Sequence, residues 1–141
     1  MKITHKELKK IATNLLSIIN KEKIDHVDSL EEKLRSSIMI NIDMGDGEYV
    51  SISKRPSNEA FAYTFSYITP NSGIPMEIRI NPTLNYTKVI IKDERLVDGY
   101  QKFAIDPFGN KVQYLTIKSS DLPFLKIELE RLSAYESTTI T

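Results

Sequence analysis

The sequence of 141 residues contains no cysteine and no long hydrophobic run. Without cysteine, the chain can form no disulfide, thiolate nucleophile, zinc knuckle or iron–sulfur cluster. No stretch approaches the ~18 apolar residues of a membrane span, and Lys9 and Lys10 interrupt the first apolar segment before it could form the core of a signal peptide. These absences predict a protein of a reducing compartment, the cytoplasm.

Glycine and proline are scarce, and neither sign of charge is in excess. Nineteen Lys and Arg balance nineteen Asp and Glu, and 40% of the residues are apolar. This balance excludes a disordered chain and argues against generic nucleic-acid binding, which needs excess basic residues. The length predicts a single domain over 1–136 with a flexible tail at 137–141. The surplus of Ile and Lys over Leu and Arg is typical of AT-rich genomes and predicts a bacterial or viral source.

Three segments carry helix signals. Thr4 and Glu7 have the spacing of a capping box, and the apolar stripe behind them predicts a helix to about Asn20. Asp28 or Ser29 can cap a second, shorter helix. A third helix, capped within residues 119–121, has a stripe of leucines: Leu122, Leu125, Leu129 and Leu132.

From Ile38 onward the apolar period changes from 3.6 to 2, which predicts strands. A two-residue turn at 46–47 would place Asp43 opposite Val50. A three-residue loop at 45–47, with Gly47 left-handed, instead places Ile42 opposite Val50, and we therefore predict that loop. Further strands are predicted at 60–68, 76–81 and 87–91, and as a hairpin of 100–105 with 111–118. Residues 93–105 also fit a helix, but the turn chemistry at 106–110 favours the hairpin.

The segment Asp106-Pro-Phe-Gly-Asn-Lys-Val-Gln113 has a proline and a glycine at the usual positions of a hairpin turn. It resembles the last hairpin of the glyoxalase and bleomycin-resistance superfamily. In that family the turn often precedes a carboxylate metal ligand, and Gln113 holds that position here. The resemblance covers this turn alone. Because the chain opens with helices and lacks the family's ligand histidines, its function is not carried over.

Motifs that would specify a reaction or a metal are missing. The two histidines, His5 and His26, do not form a ligand pattern. Asp43, Asp46 and Glu48 lack the remaining oxygen ligands of a calcium loop. Neither a nucleophile elbow nor a phosphate-binding loop is present. We therefore expect no cofactor and no metal, and we favour a non-enzymatic protein, with a carboxylate-based hydrolase as the third hypothesis.

Four aromatic residues alternate along one predicted strand: Phe61, Tyr63, Phe65 and Tyr67. Exposed, such a row could stack on bases; buried, it is core. Three amphipathic helices need a sheet face to cover, and this face is the most apolar one. We therefore predict an α+β fold in which two N-terminal helices and one C-terminal helix cover one face of a mostly antiparallel sheet of six to seven strands.

The opposite sheet face is then open, and its polar side chains are the candidate binding site. These are Arg79, Tyr86, Lys88 and Lys92, extended by Lys54 and Arg55 in the loop after the second strand. We expect the partner to be another protein, with this chain acting as an inhibitor, immunity protein or chaperone-like adaptor. The alternative is binding of single-stranded nucleic acid or a nucleotide. An uncapped sheet edge also allows a homodimer.

Overall fold

The computed structural model describes residues 3–35, 37–54, 63–92, 97, 99–100, 102–105, 109, 111–117 and 122–134. The predicted tail at 137–141 lies outside the described residues. The elements in chain order are α1 (His5–Lys21), α2 (Val27–Lys33), β1 (Met39–Gly45), β2 (Glu48–Lys54), β3 (Tyr63–Thr69), β4 (Gly73–Asn81), β5 (Tyr86–Ile91), β6 (Lys102–Ile105), β7 (Lys111–Ile117) and α3 (Leu122–Ser133).

The strands form one sheet in the order β1-β2-β3-β4-β5-β7-β6, and every neighbouring pair is antiparallel. The first five strands follow chain order. The last two form a hairpin, as predicted, but β7 rather than β6 lies beside β5. The predicted α+β fold, with its two N-terminal helices and one C-terminal helix, is confirmed.

Helix α1 begins at the predicted capping box. The Thr4 hydroxyl accepts a hydrogen bond from the Glu7 backbone N–H at 3.0 Å, and the Thr4 N–H donates to the Glu7 carboxylate at 3.3 Å. Both bonds satisfy N–H groups that a helix start leaves without partners. The helix ends at Lys21 and buries the predicted stripe: Leu8, Ile11, Ala12, Leu15, Ile18 and Ile19.

The predicted cap of α2 is wrong. The helix begins at Val27, and His26 occupies the N-cap in an extended conformation without a side-chain hydrogen bond. Asp28 and Ser29 therefore lie inside the first turn. This helix has seven residues, and Leu30 at its centre is fully buried. Packing of Leu30 and of the preceding Ile24 sets the start, because a helix this short derives its stability from tertiary contacts.

The β1–β2 hairpin has the predicted register but a different tip. Ile42 lies opposite Val50, whereas Gly45 lies opposite Glu48, so the register shifts by one residue at a bulge between Asp43 and Gly45. The chain turns through two residues, 46 and 47, both with positive φ, as a type I′ turn requires. The predicted three-residue loop is therefore wrong in form. The bulge inserts the extra residue that keeps the isoleucine row on the core side.

The aromatic strand faces inward, as predicted. Tyr63, Phe65 and Tyr67 are at most 2% exposed and belong to the same core cluster as the leucine stripe of α3 and the apolar stripe of α1. Phe61 lies outside the described residues. The helices therefore cover the Phe65 side of the sheet, and residues that alternate with Phe65 point away from them.

A polar network joins α1 to this core face. The Tyr67 hydroxyl donates to Glu48 at 2.6 Å and accepts from the Asn14 amide at 2.7 Å, and Lys10 donates to the same carboxylate at 3.0 Å. Burial raises the pKa of Glu48, but the hydrogen bonds from Tyr67 and Lys10 together outweigh this effect and hold it below the ordinary value of 4.5. Burial and the Glu48 contact raise the pKa of Tyr67 to about 12.

The network predicts a pH-dependent stability. Because the pKa of Glu48 is lower in the folded state than in the unfolded chain, Glu48 stabilises the fold above about pH 4.5, and this contribution disappears as the pH falls through the folded-state pKa. We expect urea unfolding to show a larger loss of stability between about pH 7 and about pH 3 in the wild type than in Glu48→Gln. The control is Glu130→Gln, which removes an exposed carboxylate on α3. If Glu48→Gln and the wild type lost the same stability on acidification, the role of this carboxylate would be refuted.

Candidate functional site

The candidate residues lie on the sheet face opposite the three helices, which we call the open face. Arg79 on β4 lies directly opposite Lys88 on β5, and both alternate with buried core residues. Lys102 on β6 reaches the same face through its pairing with Tyr114 on β7. The sheet order therefore brings the cation of β6 to the face that already holds those of the consecutive strands β4 and β5.

Glu77 partly balances these cations. Its carboxylate lies 3.2 Å from the Arg79 guanidinium and 3.9 Å from the Lys92 ammonium. The side chains of Glu77 and Lys92 are only 12% and 15% exposed, against 32% for Arg79. The ion pairs therefore hold these side chains close to the sheet, where solvent screens their charges less than at a free surface.

Lys88 lies at the centre of this charge cluster. Its ammonium is 4.7 Å from the centre of the Tyr114 ring, within the range of a cation–π contact. Burial lowers the pKa of Lys88, and the neighbouring charges of Arg79 and Lys102 lower it further. Two like charges thus act on an ammonium that is already partly removed from water.

We define the cationic patch as Arg79, Lys88, Lys92 and Lys102, together with Glu77 and Tyr114. Within the described part of the chain, the patch has four cations and one carboxylate. Three of its cations, Arg79, Lys88 and Lys92, were candidates from the sequence, and the structure brings them together. Tyr86 lies on the same face, opposite Asn81.

Two other sequence candidates do not join the patch. Lys54 is the last residue of β2 rather than part of the following loop, and it lies opposite the buried Tyr63. Its position therefore belongs to the helix side of the sheet, because side chains alternate along a strand. Arg55 lies outside the described residues.

Lys102 and Tyr114 were missed from the sequence. Lys102 alternates with Phe103 and Ile105 on β6, so its side could have been inferred once the hairpin was predicted. Tyr114 is flanked by Gln113 and Leu115, so its strand gives no such signal. Their neighbours could not be inferred, because the insertion of β7 between β5 and β6 is a long-range feature. This insertion places Lys88 opposite Thr116 and diagonal to Tyr114.

The open face is less exposed than a typical solvated sheet. Ser51, Thr64 and Ile90 lie on it and are at most 8% exposed. The Thr64 hydroxyl is buried without a hydrogen-bond partner, and Thr64 is the residue directly opposite Arg79.

The other motifs of the sequence have structural roles. No group of three or more His, Asp or Glu residues in the described ranges could hold a metal ion. The Gln113 side-chain oxygen accepts a hydrogen bond from the Val97 N–H at 2.8 Å, so the residue at the glyoxalase-like ligand position fastens a loop. None of the helices in the described residues has the length and hydrophobicity needed to cross a membrane.

Comparison with known proteins adds no relative. The chain matches no family model, no curated protein and no solved structure.

Proposed function

We propose that this chain is a small, non-enzymatic binding protein whose cationic patch holds an acidic surface of a partner protein. The observation that carries the proposal is the direct opposition of Arg79 and Lys88 on neighbouring strands. Like charges at opposite positions of an antiparallel pair destabilise a sheet. Glu77 already offsets part of this repulsion at Arg79, and a partner carboxylate would add charge-assisted hydrogen bonds to the two cations.

The chemistry of the patch favours a protein over a nucleic acid. Tyr63, Phe65 and Tyr67 are buried, so this part of the aromatic row is not available to stack on bases. The Lys88 ammonium lies over the Tyr114 ring. The net charge of the whole chain is zero. A local cluster on a neutral protein suits a local acidic surface better than a long phosphate backbone. An inhibitor, immunity protein or chaperone-like adaptor of the cytoplasm fits this description.

Fluorescence anisotropy tests the proposal with two labelled probes of equal charge, a glutamate-rich peptide and an oligothymidylate. We expect salt-dependent binding of the peptide, and at least a tenfold loss of affinity in the double variant Arg79→Glu/Lys88→Glu. The matched control is Lys6→Glu/Lys21→Glu, which makes the same change of charge at the two ends of α1, on the helix side of the sheet.

Three outcomes contradict the proposal. Tighter binding of the oligothymidylate would favour the nucleic-acid alternative. An equal loss in the control pair would mean that the peptide senses overall charge rather than the patch. Binding of neither probe at millimolar concentration would leave the patch without the proposed role.

A further inference from the structure

The strand β1 forms one edge of the sheet, and the direction of its free backbone groups can be derived. The Lys54 N–H donates to the Ile38 carbonyl at 2.9 Å, so Ile38 and Lys54 form a hydrogen-bonded pair of the ladder. Hydrogen-bonded positions recur every second residue in an antiparallel pair. Ile40 and Ile42 therefore direct their backbone groups toward β2, and the alternating residues direct theirs outward: Met39, Asn41 and Asp43.

Apart from the bulge at its end and the carboxylate of Asp43, β1 has none of the usual features that block an edge. The strand spans seven residues and contains no proline, lysine or arginine. Its helix-side positions are all apolar: Ile40, Ile42 and Met44, which pack against the core while remaining partly exposed. At the start of the strand Ile38 and Met39 are 78% and 52% exposed. Natural proteins usually block such edges, because a free strand pairs with other chains.

The opposite edge of the sheet is different. The strand β6 has only four residues and includes Lys102. Short edge strands with lysine are among the devices that prevent pairing. Phe103 and Ile105 of β6 are also exposed, at 43% and 68%, but the shorter length of β6 and its lysine make β1 the edge better suited to a partner strand.

We propose that β1 pairs antiparallel with β1 of a second copy of this chain, across a two-fold axis centred on Asn41. In this register Asn41 lies opposite Asn41 of the second copy, and Met39 lies opposite Asp43. Every outward N–H of these residues then faces an outward carbonyl. The ladder ends naturally at Asp43, where the bulge begins.

The side chains are compatible with this symmetric pairing. On the helix side Ile40 lies opposite Ile42 of the second copy, which extends the apolar core across the axis. On the open face Asp43 lies opposite Met39, so the carboxylates of the two copies are not opposed. Because the chain has no net charge, long-range repulsion between copies is absent.

A cysteine cross-link tests the register, because the chain has no cysteine of its own. In Asn41→Cys the two α-carbons of a hydrogen-bonded pair would lie about 5.5 Å apart, within the about 4.4–6.8 Å that a disulfide spans. In the matched control Asp43→Cys they would lie about 13 Å apart along the strand. We expect mild oxidation to give covalent dimer efficiently with Asn41→Cys and not with Asp43→Cys.

Sedimentation tests the association without a cross-link. We expect the wild type to shift from monomer to dimer over a roughly hundredfold range of concentration. Asn41→Pro removes an outward N–H and leaves the β1–β2 hydrogen bonds in place, so it should stay monomeric with an unchanged circular dichroism spectrum. A monomeric wild type throughout, equal cross-linking of the two cysteine variants, or a dimer that persists in folded Asn41→Pro would each overturn the proposal.

Discussion

Replacing Phe65 by alanine should lower the free energy of unfolding by about 3–5 kcal/mol. The Phe65 ring is 1% exposed and lies in the middle of the sheet, between Ile52 on β2 and Ile78 on β4. Neither neighbour can move far, because each belongs to a hydrogen-bonded ladder. The cavity left by the ring would therefore stay largely unfilled, and its cost adds to the lost burial of the aromatic surface. Urea unfolding followed by circular dichroism measures the difference.

Ser66→Ala is the matched control for this experiment. Ser66 is the next residue on the same strand and lies on the open face, opposite Ser51 and Glu77. Its substitution should change stability by no more than about 0.5 kcal/mol. If the two variants were equally stable, or if Ser66→Ala were the more damaging, the orientation of β3 would be inverted and the open face would be core.

The parts of the fold that were predicted correctly depend on local rules. The capping box of α1 needs only Thr4 and Glu7. The inward orientation of Phe65 follows from alternation along one strand together with the presence of amphipathic helices. The register of Ile42 against Val50 follows from the apolar pattern. In each case the deciding residues lie close together in the sequence, so the burial pattern alone determines the answer.

The failures depend on tertiary context or on geometry finer than the apolar pattern. The tip of the β1–β2 hairpin combines a type I′ turn with a bulge, and this arrangement gives the same register as the predicted three-residue loop. The start of α2 follows the packing of Leu30 rather than the capping preference of Asp28. The position of β7 beside β5 was left open rather than predicted, because it joins segments far apart in the chain and no periodicity carries that information.

The same distinction applies to the candidate site. The side of Arg79 and Lys88 could be predicted, because each alternates with core residues on its own strand. Lys92 directly follows β5 and continues the same alternation. The cationic patch as a cluster could not, since Lys102 and Tyr114 reach it only through the order of the last three strands. The prediction for Lys54 was wrong because this residue lies in β2, at a position that faces the helices, rather than in the following loop.

A buried cluster on the helix side of the sheet includes Tyr100, two residues before Lys102 in the chain, and this cluster gives the second large prediction. The Tyr100 hydroxyl donates to Glu128 of α3 at 2.6 Å. Arg131 donates to both oxygens of that carboxylate, at 2.8 and 2.9 Å. Tyr100 is fully buried and Glu128 is 7% exposed. Burial, followed by the charge of Glu128, raises the pKa of Tyr100 well above its ordinary value, so the hydroxyl remains a donor at neutral and alkaline pH.

Glu128→Leu should therefore destabilise the fold by about 2–4 kcal/mol, because it leaves the Tyr100 hydroxyl buried without its acceptor. We expect this loss of stability to be smaller than the loss on breaking a fully buried ion pair, since Arg131 is 39% exposed and can turn to solvent. Tyr100→Phe removes the hydroxyl alone and should cost about 1–3 kcal/mol. In the double variant no buried hydroxyl is left without a partner, so its cost should be smaller than the sum of the two.

Urea unfolding of the two single variants, the double variant and the wild type completes the cycle, with Glu130→Leu as the exposed control on the same helix. Additive costs would show that the Tyr100–Glu128 bond contributes nothing as a pair. A loss in Glu128→Leu no larger than in Glu130→Leu would show that the cluster does not anchor the approach to β6. If the cluster does anchor it, Glu128→Leu should also weaken peptide binding at the cationic patch, although no atom of Glu128 lies on the open face, because Lys102 would lose its fixed position.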